Sequence, residues 1–321
     1  MKRFTFRHYA LMMSVGLAII WLCLGVGLGG WQRPDRIPVE IWDLRWPRVA
    51  AALMVGGALT CAGAALQALF MNPLADPSLI GTSSGAALGV VMVLALGGGG
   101  LGLPLAAFLG ALAVCVLVLA LYRIFGGGRL GLLLIGFVIS AFCGAVVSLI
   151  LFLSNDMVLR SATTWLMGSF SSAGWTPLHH ALIVMVAGGL LLLARGRDLD
   201  CLLLGEETSR SLGVDVRRAR MLTIAGAALL TGAAVSISGV IGFIGMIIPN
   251  LLATLWGGGR TQIMIRSALV GSVFLLVVDT LARYLAYPVD LPVGVIIALI
   301  GAPFFLWLFL QGGRNRMTQD E

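Results

Sequence analysis

The sequence predicts an all-α protein that crosses a membrane about ten times. Of its 321 residues, 59% are hydrophobic and only 11% are charged, whereas a soluble domain carries about 25% charged residues. The apolar residues form long continuous runs, such as 106–121 and 181–194, and not the short alternating segments of a membrane β-barrel. A bilayer core needs roughly 20 apolar residues per helix, so the chain has room for about ten spans.

Apolar runs separated by polar or glycine-rich turns define the predicted spans. The first run follows Lys2, Arg3 and Arg7, as in a signal peptide, but it is too long for one, so we expect a retained helix. The eighth run is short. The predicted spans are 10–30, 47–70, 80–98, 103–122, 130–153, 178–194, 221–240, 242–256, 264–285 and 292–311.

The basic residues are distributed unequally between the two sides that ten spans define. Fifteen of the 21 arginines and lysines fall on the side of both termini, and six fall on the other side. Because cytoplasmic loops carry the excess of basic residues, we expect both termini in the cytoplasm. The net charge of +7 is therefore interpreted as an orientation signal, and no nucleic-acid partner is expected.

No catalytic or cofactor-binding motif is recognisable in the sequence. The only lysine is Lys2, so the chain lacks the lysine with which a P-loop ATPase contacts the β- and γ-phosphates. The five scattered cysteines show no metal-ligand spacing. We expect no enzymatic chemistry, no metal and no cofactor on this chain. An ATP-driven process would need a separate ATPase.

A proline-bounded segment interrupts two spans on the predicted cytoplasmic side. Prolines end helices, and the side chains of Asn and Asp bond to nearby backbone in turns. Such a fixed loop at the mouth of a path could be a gate, or it could be an ordinary tight connection. The residues of this gate segment are Asn72, Pro73, Leu74, Ala75, Asp76 and Pro77.

The longest predicted cytoplasmic loop is 195–220. Its glycines bracket a short polar helix with an apolar edge, which could dock into a groove of a soluble partner. A solvated loop that only carries orientation charges is the alternative. The residues of this coupling segment are Leu204, Gly205, Glu206, Arg210, Leu212 and Gly213.

Three arginines are predicted on the outer face: Arg45, Arg48 and Arg283. Guanidinium groups can bind the carboxylates of a docking protein in bidentate fashion, or can simply extend to the membrane interface. Asp279 lies inside a predicted span and precedes Arg283 by four residues. It is a functional candidate, although an ion pair between the two residues would also explain it.

Four stretches of the sequence resemble the permeases of the iron-chelate and vitamin B12 ABC importers, the FecCD-type or type II importers. They follow the family's order and spacing between about residues 42 and 311. The stretches are Arg45-x-Pro-Arg48 with Gly63-x-x-x-Gln67 and Asn72-Pro-Leu-Ala-x-Pro77; Leu204-Gly-Glu-x-x-x-Arg210-x-Leu-Gly213; Gly239-x-Ile-Gly-Phe-Ile-Gly245-x-x-x-Pro249; and Asp279-x-x-Ala-Arg283 with Leu291-Pro-x-Gly294 and Gly301-Ala-Pro303.

This resemblance implies one membrane permease domain, 1–321, with the type II importer fold, located in the bacterial inner membrane. It implies a homodimer, two separate ATP-binding subunits that use ATP and Mg, and a periplasmic binding protein. The gate segment matches the family's cytoplasmic gate, and the coupling segment matches the helical loop that fits the ATPase. Arg45, Arg48 and Arg283 match arginines that meet the binding protein, and the helix at 130–153 would line the path.

The sequence also departs from the family pattern. Asn250 and Ala253 stand where the family often has His and Arg, and Asp290 stands where Glu is usual, so no role of that His or Arg is transferred. The expected cargo is a metal chelate, first a ferric siderophore, with haem or cobalamin as alternatives. An ion-coupled secondary transporter is a different class, but it should carry ionisable residues near the membrane midplane. A passive channel or scaffold is the third.

Overall fold

Helices dominate the computed structural model, which describes residues 6–27, 30–97, 102–286 and 289–317. Two 3₁₀ helices, Pro34–Arg36 and Pro77–Ile80, and a hairpin of strands β1 (Val26–Gly27) and β2 (Gly30–Trp31) complete the regular structure of these ranges. The α-helices of the described residues are α1 (Phe6–Gly25), α2 (Val39–Phe70), α3 (Thr82–Ala95), α4 (Leu103–Phe125), α5 (Gly128–Leu153), α6 (Asp156–Leu166), α7 (Trp175–Leu193), α8 (Gly196–Leu202), α9 (Glu206–Ser211), α10 (Val216–Ser238), α11 (Ile244–Trp256), α12 (Arg260–Leu285) and α13 (Val293–Met317).

The predicted spans coincide with apolar helices, which confirms the all-helical fold class. Within the described residues, six helices are long and apolar enough to cross a membrane, namely α2, α4, α5, α7, α10 and α12. Four shorter apolar helices lie in α1, α3, α11 and α13. The count of ten crossings is therefore approximate, because length and composition alone establish six.

Two helices were not predicted, and both lie between spans. α6 begins where the side chain of Asn155 accepts a hydrogen bond from the backbone N–H of Val158 at 2.9 Å, a standard N-terminal cap. α8 covers the start of the loop 195–220. A search for long apolar runs misses such helices because they are short and carry charged residues on an exposed face.

The centre of the bundle is formed by α2 and α10. In each, 78% of the most apolar 18-residue window is buried, whereas the corresponding value for α5 is 17%. α2 packs along α12, and α10 packs against both α2 and α7. A Cβ atom on Gly63 of α2 would overlap the carbonyl oxygen of Gly245 in α11, so only glycine permits this close approach of the two backbones.

Candidate functional site

The gate segment, Asn72–Pro77, has a fixed conformation with its own hydrogen bonds. α2 ends at Met71, whose φ of 50° is unusual for a residue with a Cβ. The side chain of Asn72 then accepts a hydrogen bond from the backbone N–H of Leu74 at 2.9 Å. The carboxyl group of Asp76 accepts one from the N–H of Ser78, also at 2.9 Å, and so caps the 3₁₀ helix Pro77–Ile80. Burial raises the pKa of the Asp76 carboxyl, although the hydrogen bonds from Ser78 lower it.

The side chain of Gln67 connects the gate segment to α11. Its Nε2 donates to the carbonyl oxygen of Pro73 at 2.7 Å and to that of Met246 at 2.9 Å. Gln67 is buried in an otherwise apolar stretch of α2, where an amide without partners would be unfavourable. Its amide therefore connects the gate segment to α11. The sequence signal for this contact is the presence of a glutamine within an apolar span.

Two further helices pack against the gate segment and the 3₁₀ helix that follows it. The ring of Pro77 packs on Gly245 at the start of α11, where a Cβ atom would come within 2.7 Å of the proline Cδ. Gly136 of α5 faces the carbonyl oxygen of Leu79, in the 3₁₀ helix, so closely that a Cβ atom would overlap it. The gate segment and its 3₁₀ helix thus contact α2, α11 and the exposed helix α5.

The coupling segment contains the short polar helix that its glycines predict. α9 begins after Gly205, whose φ of 100° is readily adopted only by glycine. Leu204 and Leu212, at its two ends, expose 63% and 54% of their surface. Leu199 and Leu202 of the neighbouring α8 are buried instead. The segment therefore presents two apolar side chains outwards on a folded base.

Several polar contacts anchor this base to the membrane helices. Glu206 forms ion pairs with Arg220 of α10 and, at 3.6 Å, with Arg210. The Nη1 of Arg220 also donates to the hydroxyl of Tyr122, at the end of α4, at 3.0 Å. The carboxyl group of Asp200 accepts a hydrogen bond from the first backbone N–H of α12 at 2.9 Å. α8 and α9 are thus attached to three membrane helices, α4, α10 and α12.

Two of the three outer arginines, Arg48 and Arg283, meet at the opposite end of the bundle around Asp279. Nε and Nη2 of Arg48 donate to the Asp279 carboxylate at 2.9 to 3.2 Å, and Nη1 of Arg48 donates to Asp290 at 2.9 Å. Arg283 lies 3.4 Å from the same Asp279 carboxylate. The Asp279 side chain is completely buried, so these contacts supply the positive charge that its burial requires.

These ion pairs and their burial leave less of the Arg48 and Arg283 side chains for the predicted contact with a docking protein. The expected pair between Asp279 and Arg283 is present, but the shorter pair with Arg48 was not predicted. The Arg48 and Arg283 side chains expose only 12% and 17% of their surface. Arg45 donates instead to the backbone carbonyl of Leu24 at 2.9 Å. A role in docking stays a prediction for all three.

Aromatic side chains cluster at this same end. The rings of Trp21 and Trp31 lie 5.3 Å apart, and those of Trp42 and Trp46 stack at 5.5 Å. Trp175, at the start of α7, lies 6.0 Å from His179. Tryptophan is enriched where membrane meets water, so these rings mark one membrane boundary.

Comparison with known proteins connects this chain to one family. A model of the FecCD transport family matches residues 14–311. The hemin transport system permease HmuU of Yersinia pestis is 41% identical over 287 residues, which cover 86% of this chain and 85% of that protein. The vitamin B12 import permease BtuC of Escherichia coli O157:H7 is 36% identical over 305 residues, 92% of each chain.

Solved structures agree with this assignment. A metal-chelate type ABC transporter in an inward-facing conformation superimposes with a TM-score of 0.88 at 32% identity, over 95% of this chain and 99% of that one. The PsaBC complex of Streptococcus pneumoniae superimposes with a TM-score of 0.60 at 19% identity, over 84% of this chain and 92% of that one. The second likeness concerns the fold alone.

Proposed function

The chain belongs to the FecCD transport family, and from this premise we propose that it is the permease of an ATP-driven importer that carries a metal chelate into the cytoplasm. The observation that carries the proposal is the family match over residues 14–311. The arrangement of the sites supports it. The gate and coupling segments lie at one end of the bundle, and the paired arginines lie at the other.

The role that we propose for each segment follows from its position. Leu204 and Leu212 on α9 would insert into the ATPase, because they are exposed apolar side chains on an anchored helix. The gate segment Asn72–Pro77 would close the cytoplasmic mouth. Arg45, with help from Arg48 and Arg283, would meet acidic residues of a periplasmic binding protein.

The proposed assembly contains two copies of this chain, two ATP-binding subunits that use ATP and Mg, and the binding protein. The exposure of α5 supports the presence of a second copy, because this helix is the least buried of the six long apolar helices. Its exposed side chains include Phe137 and Phe142. A face of this kind suits either a partner helix or the wall of a shared path.

The proposed orientation places both termini and the coupling segment in the cytoplasm of a bacterium. It rests on the excess of basic residues on that side. An ATPase acts only in the cytoplasm, so the coupling segment must lie there for the mechanism to work. Placing a reporter after residue 213 and after residue 35 tests this orientation directly, since the two sites should report opposite sides.

The cargo proposed from the sequence is a ferric siderophore. The two relatives are named for hemin and for vitamin B12, which makes haem or cobalamin the second candidate. All three ligands are bulky metal chelates, so a common path could serve any of them. The permease itself would contribute no chemistry to the cargo.

Transport by the reconstituted complex tests the proposal. Proteoliposomes with the permease, its ATPase and its binding protein should accumulate one of three labelled ligands: a ferric siderophore, haem or cobalamin. Uptake should require ATP on the side of the membrane where the ATPase is bound. Uptake that persists without ATP and follows an ion gradient would instead identify a secondary transporter. Asp279 argues against that alternative, because Arg48 and Arg283 already neutralise its carboxylate.

A further inference from the structure

A cavity of about 530 Å³ opens beside the coupling segment, between the end of α4 and the start of α10. Four guanidinium groups and one carboxyl group reach its wall. The polar lining residues are Tyr122, Arg123, Arg210, Asp215, Arg217 and Arg220. The lining therefore carries more positive than negative charge, and the cavity is large enough to admit a phosphate group.

The carboxylates near the cavity are already engaged. Asp215 accepts a hydrogen bond from the backbone N–H of Arg218 at 3.0 Å and thereby caps α10. Glu206 pairs with Arg210 and Arg220. Among the described residues, no carboxylate lies within ion-pair distance of Arg123 or Arg217. Two lining cations are therefore available for an anion.

Arg220 forms the buried edge of the cavity and is already engaged. Its side chain is 6% exposed, and its two terminal nitrogens contact Tyr122 and Glu206. An anion in the cavity would therefore be bound by Arg123 and Arg217, because a phosphate group offers several acceptor oxygens with the geometry that guanidinium groups bind.

The surroundings of the cavity indicate where the anion comes from. Val116 and Leu117 lie about two helical turns before Arg123 in α4, towards the membrane interior, and expose 57% and 44% of their surface. Large apolar side chains exposed on a membrane helix provide a surface for lipid tails. A basic pocket next to such a surface matches an amphiphile with a phosphate head and acyl chains.

We propose that this cavity binds the phosphate group of an anionic phospholipid, with the acyl chains lying along the exposed face of α4. The bound head group would contact Arg123 and Arg217. Because Arg210 of α9 also lines the cavity, the lipid would help to hold the coupling segment in place. The cargo of the importer has no part in this inference.

Lipid retention by the purified full-length permease tests the proposal. Native mass spectrometry would compare phosphatidylglycerol with zwitterionic phosphatidylcholine on the wild type and on R123Q/R217Q. We expect preferential retention of phosphatidylglycerol and a loss of apparent affinity of roughly 30-fold in the double variant, since each basic residue strengthens anionic-lipid binding about fivefold. The matched control is R197Q/R218Q, which removes two exposed arginines outside the cavity and should retain the lipid.

Four outcomes would overturn the proposal. Equal losses in both double variants would indicate diffuse surface attraction, and equal retention of phosphatidylcholine would exclude a role for charge. Displacement of the lipid by millimolar inorganic phosphate, with phosphate bound in its place, would identify a free-phosphate site. Retention by the permease alone but not by its complex with the ATPase would indicate that an acidic ATPase surface fills the cavity. Melting curves of both double variants establish that the two proteins are equally folded.

Discussion

Arg48 and Asp279 lie 231 residues apart in the sequence and form a bidentate ion pair at 2.9 to 3.2 Å. The pair joins α2 to α12 at the end of the bundle that carries the tryptophans. Because the Asp279 carboxylate is completely buried, both partners contribute to the fold. A charge reversal at Arg48 would therefore disturb folding as well as any docking, and the two roles need separate tests.

Asp279→Asn should destabilise the protein by about 3–5 kcal/mol, because it leaves the largely buried Arg283 without a carboxylate partner and leaves Arg48 with only the exposed Asp290. The apparent melting temperature in detergent measures this effect. Asp290→Asn is the matched control. Asp290 is 44% exposed, so its loss should cost at most about 1 kcal/mol. Equal shifts in the two variants would contradict a structural role specific to Asp279.

Arg45→Glu tests docking at the outer face without breaking an ion pair among the described residues. The affinity of the permease for its periplasmic binding protein should fall about tenfold or more, since a carboxylate would then face acidic residues of the partner. Arg197→Glu makes the same charge change at the other end of the bundle. It should leave the affinity unchanged. An unaltered affinity in Arg45→Glu would exclude Arg45 from docking.

The double substitution L204D/L212D should prevent co-purification of the ATPase with the permease. Two apolar anchors would become charges that cannot be buried in a groove without a large penalty. Leu44→Asp, at an even more exposed leucine of the outer end, should co-purify normally. If L204D/L212D assembles and hydrolyses ATP like the wild type, the coupling segment is only a solvated loop.

Gln67→Leu should release the gate segment. The carbonyl groups of Pro73 and Met246 would each lose a donor, and the buried one, that of Met246, would cost about 1–3 kcal/mol if left unsatisfied. Amide hydrogen exchange at residues 72–77 should accelerate, and proteoliposomes should leak cargo without ATP. Gln32→Leu, at an exposed residue of the outer end, is the control and should change neither measurement. Unchanged exchange in Gln67→Leu would show that the bridge does not hold the segment.

Local patterns in the sequence predict local structure well. The prolines and glycines that bound the gate and coupling segments predict where α2 ends and where α9 lies. The spacing of Asp279 and Arg283 predicts an ion pair within one helix, which is present. Each of these predictions requires only residues that are close in the sequence.

Contacts between distant parts of the chain could not be predicted in this way. Nothing in the spacing of Arg48 indicates Asp279 as its partner. Arg123 and Arg217 were likewise counted only as orientation charges, although folding places both at one cavity. Hydropathy specifies that helices cross a membrane, but it does not specify which faces of those helices meet.

α2 carries the outer ion pair at Arg48 and the inner hydrogen-bond bridge at Gln67 on one helix. At 1.5 Å per residue, the two points lie roughly 28 Å apart along the axis. If α2 tilts as a rigid body by about 5° about one of these points, the other point moves by about 2.5 Å, which is comparable to the length of a hydrogen bond. A binding event that tilts α2 at the outer surface would therefore also shift the contacts of the gate segment at the inner end, without any contribution from the cargo.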